Sequence, residues 1–154
     1  MIFISHRGNL TGSNKNLENT PLQIQKVLNL GYDCEIDVWF IDNNYFLGHD
    51  EPKYKISKHT LTQTKLWCHA KNFFALEQML KDNIHCFWHE NDDYTITSKG
   101  YIWTNTGKSL GKKSVLVDLN AQVLNAPGYD INLSSLDKPI KGICSDYILD
   151  IIKI

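Results

Sequence analysis

The sequence lacks the features that direct a chain to nucleic acid or into a membrane. Its 154 residues carry 16 basic and 17 acidic side chains, a formal net charge of −1, and the two signs are mixed along the chain. Without a basic field or a lysine-rich run, we expect no nucleic-acid partner. The apolar runs all fall far short of the ~20 residues of a membrane-spanning helix, so we expect no stable membrane association.

Leader and zinc-binding patterns are also missing. The chain begins directly on the apolar residues 1–4, with no basic leader and no small-residue cleavage site, which predicts a cytoplasmic protein. The four cysteines are far apart, and three of them lie in apolar runs: Cys34, Cys68, Cys86 and Cys144. Buried free thiols are therefore predicted in preference to a zinc site.

Nothing in the composition divides the chain. No internal repeat, low-complexity segment or linker rich in proline, glycine and serine interrupts it. A chain of about 150 residues can bury roughly two-thirds of its unfolded surface. We therefore predict a single domain spanning residues 1–154, with its oligomeric state left open.

The residues that can carry chemistry are concentrated in the first fifty positions. Glu35 and Asp37 are two residues apart in the apolar run 32–40, a predicted strand, so both carboxylates point to one face. Hard oxygen ligands placed in this way suit a divalent cation such as Mg²⁺ or Ca²⁺. A solvated strand face is the competing interpretation of this pair.

Two histidines and an arginine stand next to predicted strand ends. His6 ends the apolar run 1–5, and His49 follows the short run 45–47. Two histidines can serve as base and acid near neutral pH, and the planar fork of Arg7 can hold phosphate oxygens. For each histidine taken alone, structural hydrogen bonding is the alternative role.

The order of these residues resembles that of a known family, the glycerophosphodiester phosphodiesterases of the phospholipase C-like superfamily. The similar segments are His6-Arg7-Gly8, Glu18-Asn19-Thr20, Glu35-x-Asp37 and His49-Asp50. The resemblance implies a (β/α) barrel, a divalent metal and cleavage of a phosphodiester. It further implies that His6 and His49 are the catalytic acid–base pair and that Glu35 and Asp37 are metal ligands. By the same resemblance Arg7 is a phosphate binder and Glu18 has a supporting role.

The next predicted strand, 66–71, departs from the family pattern. The family usually has Glu-x-Lys where this chain has His69-Ala70-Lys71. The resemblance leaves Lys71 as a point charge at the phosphate. His69 either binds the metal, although imidazole suits softer ions than Mg²⁺ or Ca²⁺, or only hydrogen-bonds the substrate or a carboxylate. A further strand is predicted over 84–90, and Glu90 at its end would supply the missing carboxylate if it faced the barrel interior. An ordinary surface position is the alternative for Glu90.

Later segments resemble the family more loosely. Trp103, in the predicted strand 101–105, is similar to the family tryptophan that lines the substrate pocket, with a position in the core as the alternative. The run 142–147 resembles the closing strand of the family.

Turn residues and periodicity predict the remaining elements. Thr20 is the predicted N-cap of a helix that starts at Pro21, with Gln23 completing a capping box. A second helix is predicted over 72–82, with four residues facing inward: Phe73, Leu76, Met79 and Leu80. Residues 42–44 predict a hairpin turn, the segment 51–64 gives no clear prediction, and residues 125–128 predict a break.

Seven or eight predicted strands with two convincing crossover helices are too few for a complete (β/α)₈ barrel, which takes about 250 residues. We therefore expect an α/β fold, a pared-down TIM-like (β/α) barrel of seven to eight mostly parallel strands with few helices.

The expected function is metal-dependent hydrolysis of a small, soluble phosphodiester, with Mg²⁺ or Ca²⁺ as cofactor and Mn²⁺ as a further option. A glycerophosphodiester is the first candidate substrate, and a nucleotide- or glycan-linked diester is the second. The alternative is a catalytically inactive module that binds a phosphodiester on the same fold. The pair of histidines argues against that module, because binding alone needs no proton transfer.

Overall fold

Ten strands and four short helices make up the part of the chain that this computed structural model describes, residues 1–120 and 140–151. The strands are β1 (Ile2–His6), β2 (Asp33–Ile41), β3 (Asn44–Leu47), β4 (Tyr54–Ile56), β5 (Leu66–Ala70), β6 (Cys86–Phe87), β7 (Tyr94–Ile96), β8 (Ile102–Asn105), β9 (Ser114–Val117) and β10 (Gly142–Ser145). The helices are α1 (Pro21–Asn29), α2 (Lys58–Leu61), α3 (Phe73–Lys81) and α4 (Ile148–Ile151).

The strands form one mixed sheet. Seven of them run parallel, in the spatial order β6-β5-β2-β1-β10-β9-β8. Antiparallel pairs extend the sheet, with β3 on the second half of β2, β4 on β3, and β7 on β8. Because the seven central strands point the same way, their carboxyl ends lie along one edge of the sheet.

The predicted TIM-like (β/α) barrel is wrong. Such a barrel alternates strands and helices around a closed parallel sheet, whereas the described residues form a mixed ten-stranded sheet with three antiparallel pairings and four short helices. Within the described residues β6 pairs only with β5. The prediction of seven to eight strands missed β4, which lies in the unassigned segment 51–64, and also β7.

Strand β2 separates a helix-covered face from the face that carries the predicted metal ligands. Cys34, Ile36 and Val38 are fully buried in the core on the side of α1 and α3. Glu35 and Asp37 alternate with them and therefore point to the other side of the sheet. In the register of the parallel pairs, Glu35 lies beside His6 and Asp37 lies beside His69.

The start of α1 was predicted correctly except for its capping box. Thr20 is the N-cap, and its side chain accepts a hydrogen bond from the Gln23 backbone N–H. The Gln23 side chain instead donates to the Gly8 carbonyl at 2.7 Å, and the Thr20 N–H donates to Leu17. Gln23 therefore ties the helix to the loop after β1 and does not close a capping box.

Helix α3 has a narrower buried face than predicted. Met79 is buried and Leu76 is partly buried, as expected, but Phe73 and Leu80 are exposed. The side chain of Asn72, the N-cap, exchanges hydrogen bonds with the Phe40 backbone, which anchors the helix start to β2. No helix of the described residues is long and apolar enough to span a bilayer, and the break predicted at 125–128 lies outside those residues.

Candidate active site

One cleft of about 370 Å³ at the carboxyl edge of the sheet collects most of the residues singled out in the sequence. Predicted site residues on its walls are His6, Arg7, Glu35, His49, His69, Lys71, Glu90 and Trp103. Asp37 is fully buried and lies within ion-pair distance of three of them, namely Arg7, His69 and Lys71. The sheet therefore brings together residues that are far apart in the chain.

Asp37 is an anion with different neighbours at each oxygen. Asn19 donates to Oδ2 at 2.9 Å and accepts from the Asp37 backbone N–H at 2.9 Å. Arg7 Nε lies 3.0 Å from Oδ2, and His69 Nδ1 lies 3.2 Å from Oδ1. Burial alone would raise the pKa of Asp37, but the neighbouring His69, Arg7 and Asn19 outweigh it and hold the pKa well below its usual range.

The pKa of Glu35 shifts in the opposite direction, upward. Burial and the negative charge of Asp37 raise its pKa, and the positive or polar neighbours His6, His69 and Arg7 offset this only in part. Its Oε2 accepts a hydrogen bond from the Arg7 backbone N–H at 3.2 Å. Two buried carboxylates on one strand therefore repel each other, and a bound cation would relieve that repulsion.

His69 completes a three-residue group with these carboxylates. Glu35, Asp37 and His69 each offer one ligand atom, and the three atoms lie within 4.8 Å of one another. Among the described residues this is the group of histidine, cysteine and acidic side chains with the spacing of a metal site. The His69 ring stacks on Phe87, with centroids 5.2 Å apart and planes 5° apart, which fixes its orientation.

Two cationic side chains reach the same carboxylate from the cleft. Arg7 Nε lies 3.0 Å from Asp37, and Lys71 Nζ lies 3.6 Å from it. Glu18 lies on the other side of the guanidinium, with Oε2 3.5 Å from Arg7 Nη1. Glu18 also accepts hydrogen bonds from Ser13 and Asn9, so it holds Arg7 in place from outside the cleft.

His6 is partly buried and paired with a carboxylate from the other end of the chain. Its Nδ1 lies 2.8 Å from Asp146 Oδ1, and its Nε2 lies 3.9 Å from Glu35 Oε2. A carboxylate only accepts hydrogen bonds, so Nδ1 carries the proton and Nε2 points to the metal-ligand group. Burial lowers the pKa of His6, but Asp146 and Glu35 raise it by more, and the net shift is upward.

His49 occupies a more open position. It follows β3, and its Nδ1 lies 2.6 Å from Asp50 Oδ1. Gly48 precedes it with φ 146°, and a Cβ at this position would clash with the backbone oxygen of Glu51. Trp39 in β2 donates to the Gly48 carbonyl at 2.6 Å. The tight turn and this hydrogen bond place His49 at the cleft although it comes from a peripheral hairpin.

The remaining predicted site residues lie on the far wall. Trp103 is both core and lining, since it packs against Phe87 with centroids 4.7 Å apart while bordering the cleft. Glu90 is exposed on the rim, and the structure does not bring it to Glu35 and Asp37. The predicted strand 84–90 ends at Phe87, so the alternation that would turn Glu90 inward is lost and its N–H donates to Asp92 instead.

Sequence reasoning missed three supporting residues. Asp146 pairs with His6, Asn19 brackets Asp37, and His89 lines the cleft with its Nδ1 2.9 Å from Asp92 Oδ2. Asn19 lies inside the Glu18-Asn19-Thr20 segment and has φ 59°, a conformation that Asn tolerates better than most residues. Asp146 lies inside the predicted closing strand 142–147, and in the structure it comes directly after the end of β10 at Ser145.

Comparison of this chain with protein-family models, with curated proteins and with solved structures finds no match.

Proposed function

We propose that this protein is a metal-dependent hydrolase of small phosphodiesters. The observation that carries the proposal is the single cleft in which two histidines, an arginine and a lysine surround a buried Glu–Asp–His group. Each of these residue types has a defined use in phosphodiester cleavage.

The donor set fits a divalent cation. Asp37 Oδ1 is buried and accepts no hydrogen bond from the described residues, and Glu35 is buried beside a second negative charge. Glu35, Asp37 and His69 would hold the ion. A divalent cation bound there would supply positive charge next to the phosphate oxygens and lower the pKa of a coordinated water.

The cationic side chains suit a phosphate group. Arg7 and Lys71 both border the cleft and both approach Asp37, which holds their charged ends close together. A phosphodiester carries one negative charge and gains more as a nucleophile attacks phosphorus. Preplaced positive groups stabilise that added charge without rearranging when it forms.

The two histidines provide proton transfer. His6 keeps its Nδ1 proton on Asp146, which leaves Nε2 to exchange a proton in the cleft. His49 is oriented by Asp50 in the same way. One histidine accepts the proton of the attacking hydroxyl or water, and the other donates a proton to the oxygen of the leaving alcohol.

A second cleft supports a substrate with two arms. It measures about 270 Å³ and shares Arg7 and His49 with the first cleft, and its other walls include Lys15, Lys53 and Tyr54. A diester has one organic group on each side of phosphorus. Two small clefts that meet at the same arginine and histidine give each group its own place.

The free thiols support a reducing compartment. The four cysteines are all buried and unbridged, although Cys68 and Cys86 are neighbours in the register of β5 and β6. Disulfides are rare in the cytosol, and on this ground we propose a cytoplasmic location.

The test is hydrolysis of a panel of small phosphodiesters, including bis(p-nitrophenyl) phosphate and glycerophosphodiesters, with added divalent metal or with EDTA. We expect metal-dependent release of alcohol. His6→Ala and His49→Ala should each lower kcat by about 10²–10⁴-fold, the usual contribution of one acid–base group. His59→Ala, which changes an exposed histidine outside the cleft, is the matched control and should keep the wild-type rate.

Two outcomes contradict the proposal. Wild-type rates in both cleft variants would remove the acid–base role of the histidines. Absence of turnover across the panel, together with tight binding of the uncleaved diesters, would instead establish a binding module.

A further inference from the structure

We propose that the Glu35–Asp37–His69 group selects a first-row transition ion of the Zn²⁺ or Mn²⁺ type over Mg²⁺ and Ca²⁺, with His69 Nδ1 as the selecting ligand. The inference rests on the metal site of the proposed function and goes beyond it by assigning the class of ion. It follows from the hydrogen bonding of one imidazole ring.

The outer nitrogen of His69 fixes the tautomer. Nε2 lies 2.9 Å from the backbone oxygen of His89. A carbonyl oxygen can only accept a hydrogen bond, so the proton of the neutral ring is on Nε2. In the neutral ring Nδ1 is then a lone-pair donor, with Asp37 Oδ1 at 3.2 Å and Glu35 Oε1 at 3.8 Å. In the protonated ring the same nitrogen pairs with Asp37, and a bound cation would take the place of that proton. Three electron-rich atoms therefore face one another in a buried space.

The protein brings the positive charge of a protonated His69 to Asp37 Oδ1 but gives this oxygen no hydrogen bond of good geometry. Asp37 Oδ1 accepts no hydrogen bond from the described residues, so the approach of His69 at 3.2 Å is not aligned as an N–H···O contact. Lys71 Nζ, at 3.6 Å from the same oxygen, is beyond hydrogen-bond distance. A cation that binds all three ligand atoms would satisfy the buried oxygen.

The outer contacts of His69 are those of a metal-bound histidine. Such a ring commonly donates its second N–H to a backbone carbonyl or carboxylate, which sets its orientation and makes the ligating nitrogen more basic. Stacking on Phe87 further prevents the ring from turning away from the carboxylates. Among first-row ions, affinity for nitrogen-containing sites is lowest for Mn²⁺ and higher for Zn²⁺, whereas Mg²⁺ and Ca²⁺ prefer oxygen.

The experiment measures metal binding, separately from turnover. Metal-free protein is titrated with Zn²⁺, Mn²⁺, Mg²⁺ and Ca²⁺ by calorimetry, and the Mn²⁺ complex is examined by pulsed electron paramagnetic resonance for coupling to ¹⁴N. We expect tighter binding of the two transition ions and a ¹⁴N signal from one imidazole.

Substitutions of His69 test whether this residue is the ligand that selects the ion. His69→Gln should abolish the ¹⁴N signal and weaken Zn²⁺ and Mn²⁺ binding by more than the 10–100-fold typical of losing a group that only supports a ligand. His69→Glu should narrow the preference for transition ions, because it replaces nitrogen by carboxylate oxygen. His59→Gln, outside the cleft, should change neither quantity. Circular dichroism verifies that each variant is folded, and the wild-type signal is informative without any variant.

The outcomes separate this inference from the proposed function. Equal or tighter binding of Mg²⁺ or Ca²⁺, or a Mn²⁺ complex without ¹⁴N coupling, would overturn the assignment of ion class while leaving a metal-dependent phosphodiesterase intact. Failure of all four ions to bind would overturn the metal site itself.

Discussion

At the scale of single residues, His6 shows how a partly buried histidine can keep its affinity for a proton. Burial disfavours the imidazolium form, and a nearby arginine does so as well. The contact with Asp146 and the field of Glu35 reverse the balance and raise the pKa. The charge state of His6 thus depends on a residue 140 positions away.

Replacing Asp146 by Asn should therefore lower the pKa of His6. The amide removes the negative charge and leaves burial as the main influence. The measurement is an NMR titration of the His6 ring in metal-free protein. Asp42→Asn, in the exposed turn between β2 and β3, is the matched control and should leave that pKa unchanged.

The same variant should have a pH-dependent effect on stability. A histidine whose folded-state pKa is raised stabilises the fold below its unfolded pKa, and this contribution disappears as the pH rises through the folded-state value. The Asp146→Asn variant should therefore lose more unfolding free energy at pH 5 than at pH 9, measured by urea denaturation. An equal loss at both pH values would contradict the assigned role of the His6–Asp146 pair.

At the scale of elements, the β2–β3 hairpin determines where His49 lies. Asp42 and Asn43 form its two-residue turn with φ 49° and 59°, as the right-handed twist of a hairpin favours. The chain leaves β3 through Gly48, whose backbone passes so close to Glu51 that a side chain does not fit. The position of the second histidine thus depends on one glycine.

Gly48→Ala should consequently damage both stability and activity. Gly31→Ala is the matched control, since Gly31 also has positive φ but no atom lies within 4 Å of the place that a Cβ would occupy. The control should cost about 1–2 kcal/mol through backbone conformation alone. Gly48→Ala should cost a further ~1–3 kcal/mol of unfolding free energy because of the clash. It should also lower kcat by up to ~10²-fold because it displaces His49. Urea denaturation and turnover of a phosphodiester measure the two effects, and identical results for both variants would contradict this explanation.

Local patterns in the sequence were enough to predict the hairpin, the Thr20 cap and the shared face of Glu35 and Asp37. Each of these features depends on residues within a few positions of one another. Asp146 was not assigned to the site, because its partner His6 lies at the opposite end of the chain. The length of β6 was overestimated for a related reason: a strand was predicted over 84–90, but only two residues form it. A continuous apolar run does not show where strand pairing stops.

At the scale of the whole molecule, the predicted barrel failed because sheet closure depends on pairings between distant strands. The predicted hairpin correctly made β3 an antiparallel neighbour of β2, but the sequence did not reveal β4 and β7, whose antiparallel pairings complete the mixed sheet. The site residues nevertheless converge, because the carboxyl ends of parallel strands share an edge whether or not the sheet closes.

The repulsion between the two buried carboxylates should lower the stability of the whole protein. A carboxyl with a raised folded-state pKa makes the fold less stable as the pH rises from the unfolded pKa through the folded-state value. Without metal, Glu35→Gln should therefore have a higher Tm than wild type at pH 7, and the difference should vanish below the ordinary glutamate pKa. Glu77→Gln, on the exposed side of α3, should change Tm little at either pH.

With metal bound, the wild type should have a higher Tm than Glu35→Gln. Ligand at about 100 times its dissociation constant stabilises a folded protein by ~2.7 kcal/mol, and the wild type should gain this whereas Glu35→Gln should gain much less. Calorimetric scans with and without metal provide the measurement. A Glu35→Gln variant that is less stable than wild type in EDTA would show that the carboxylate is held by the protein and needs no cation.

Strand β2 also limits how this protein can change by mutation. Residues 34, 36 and 38 fill the core. On the other face, Asp33 accepts a hydrogen bond from Trp67, and Trp39 donates one to the turn that precedes His49. The proposed metal ligands Glu35 and Asp37 lie between them. Seven consecutive residues therefore leave no neutral position. A library that randomises the whole chain should return almost no functional variants within 33–39, and new substrate preferences will have to come from the loops around the cleft.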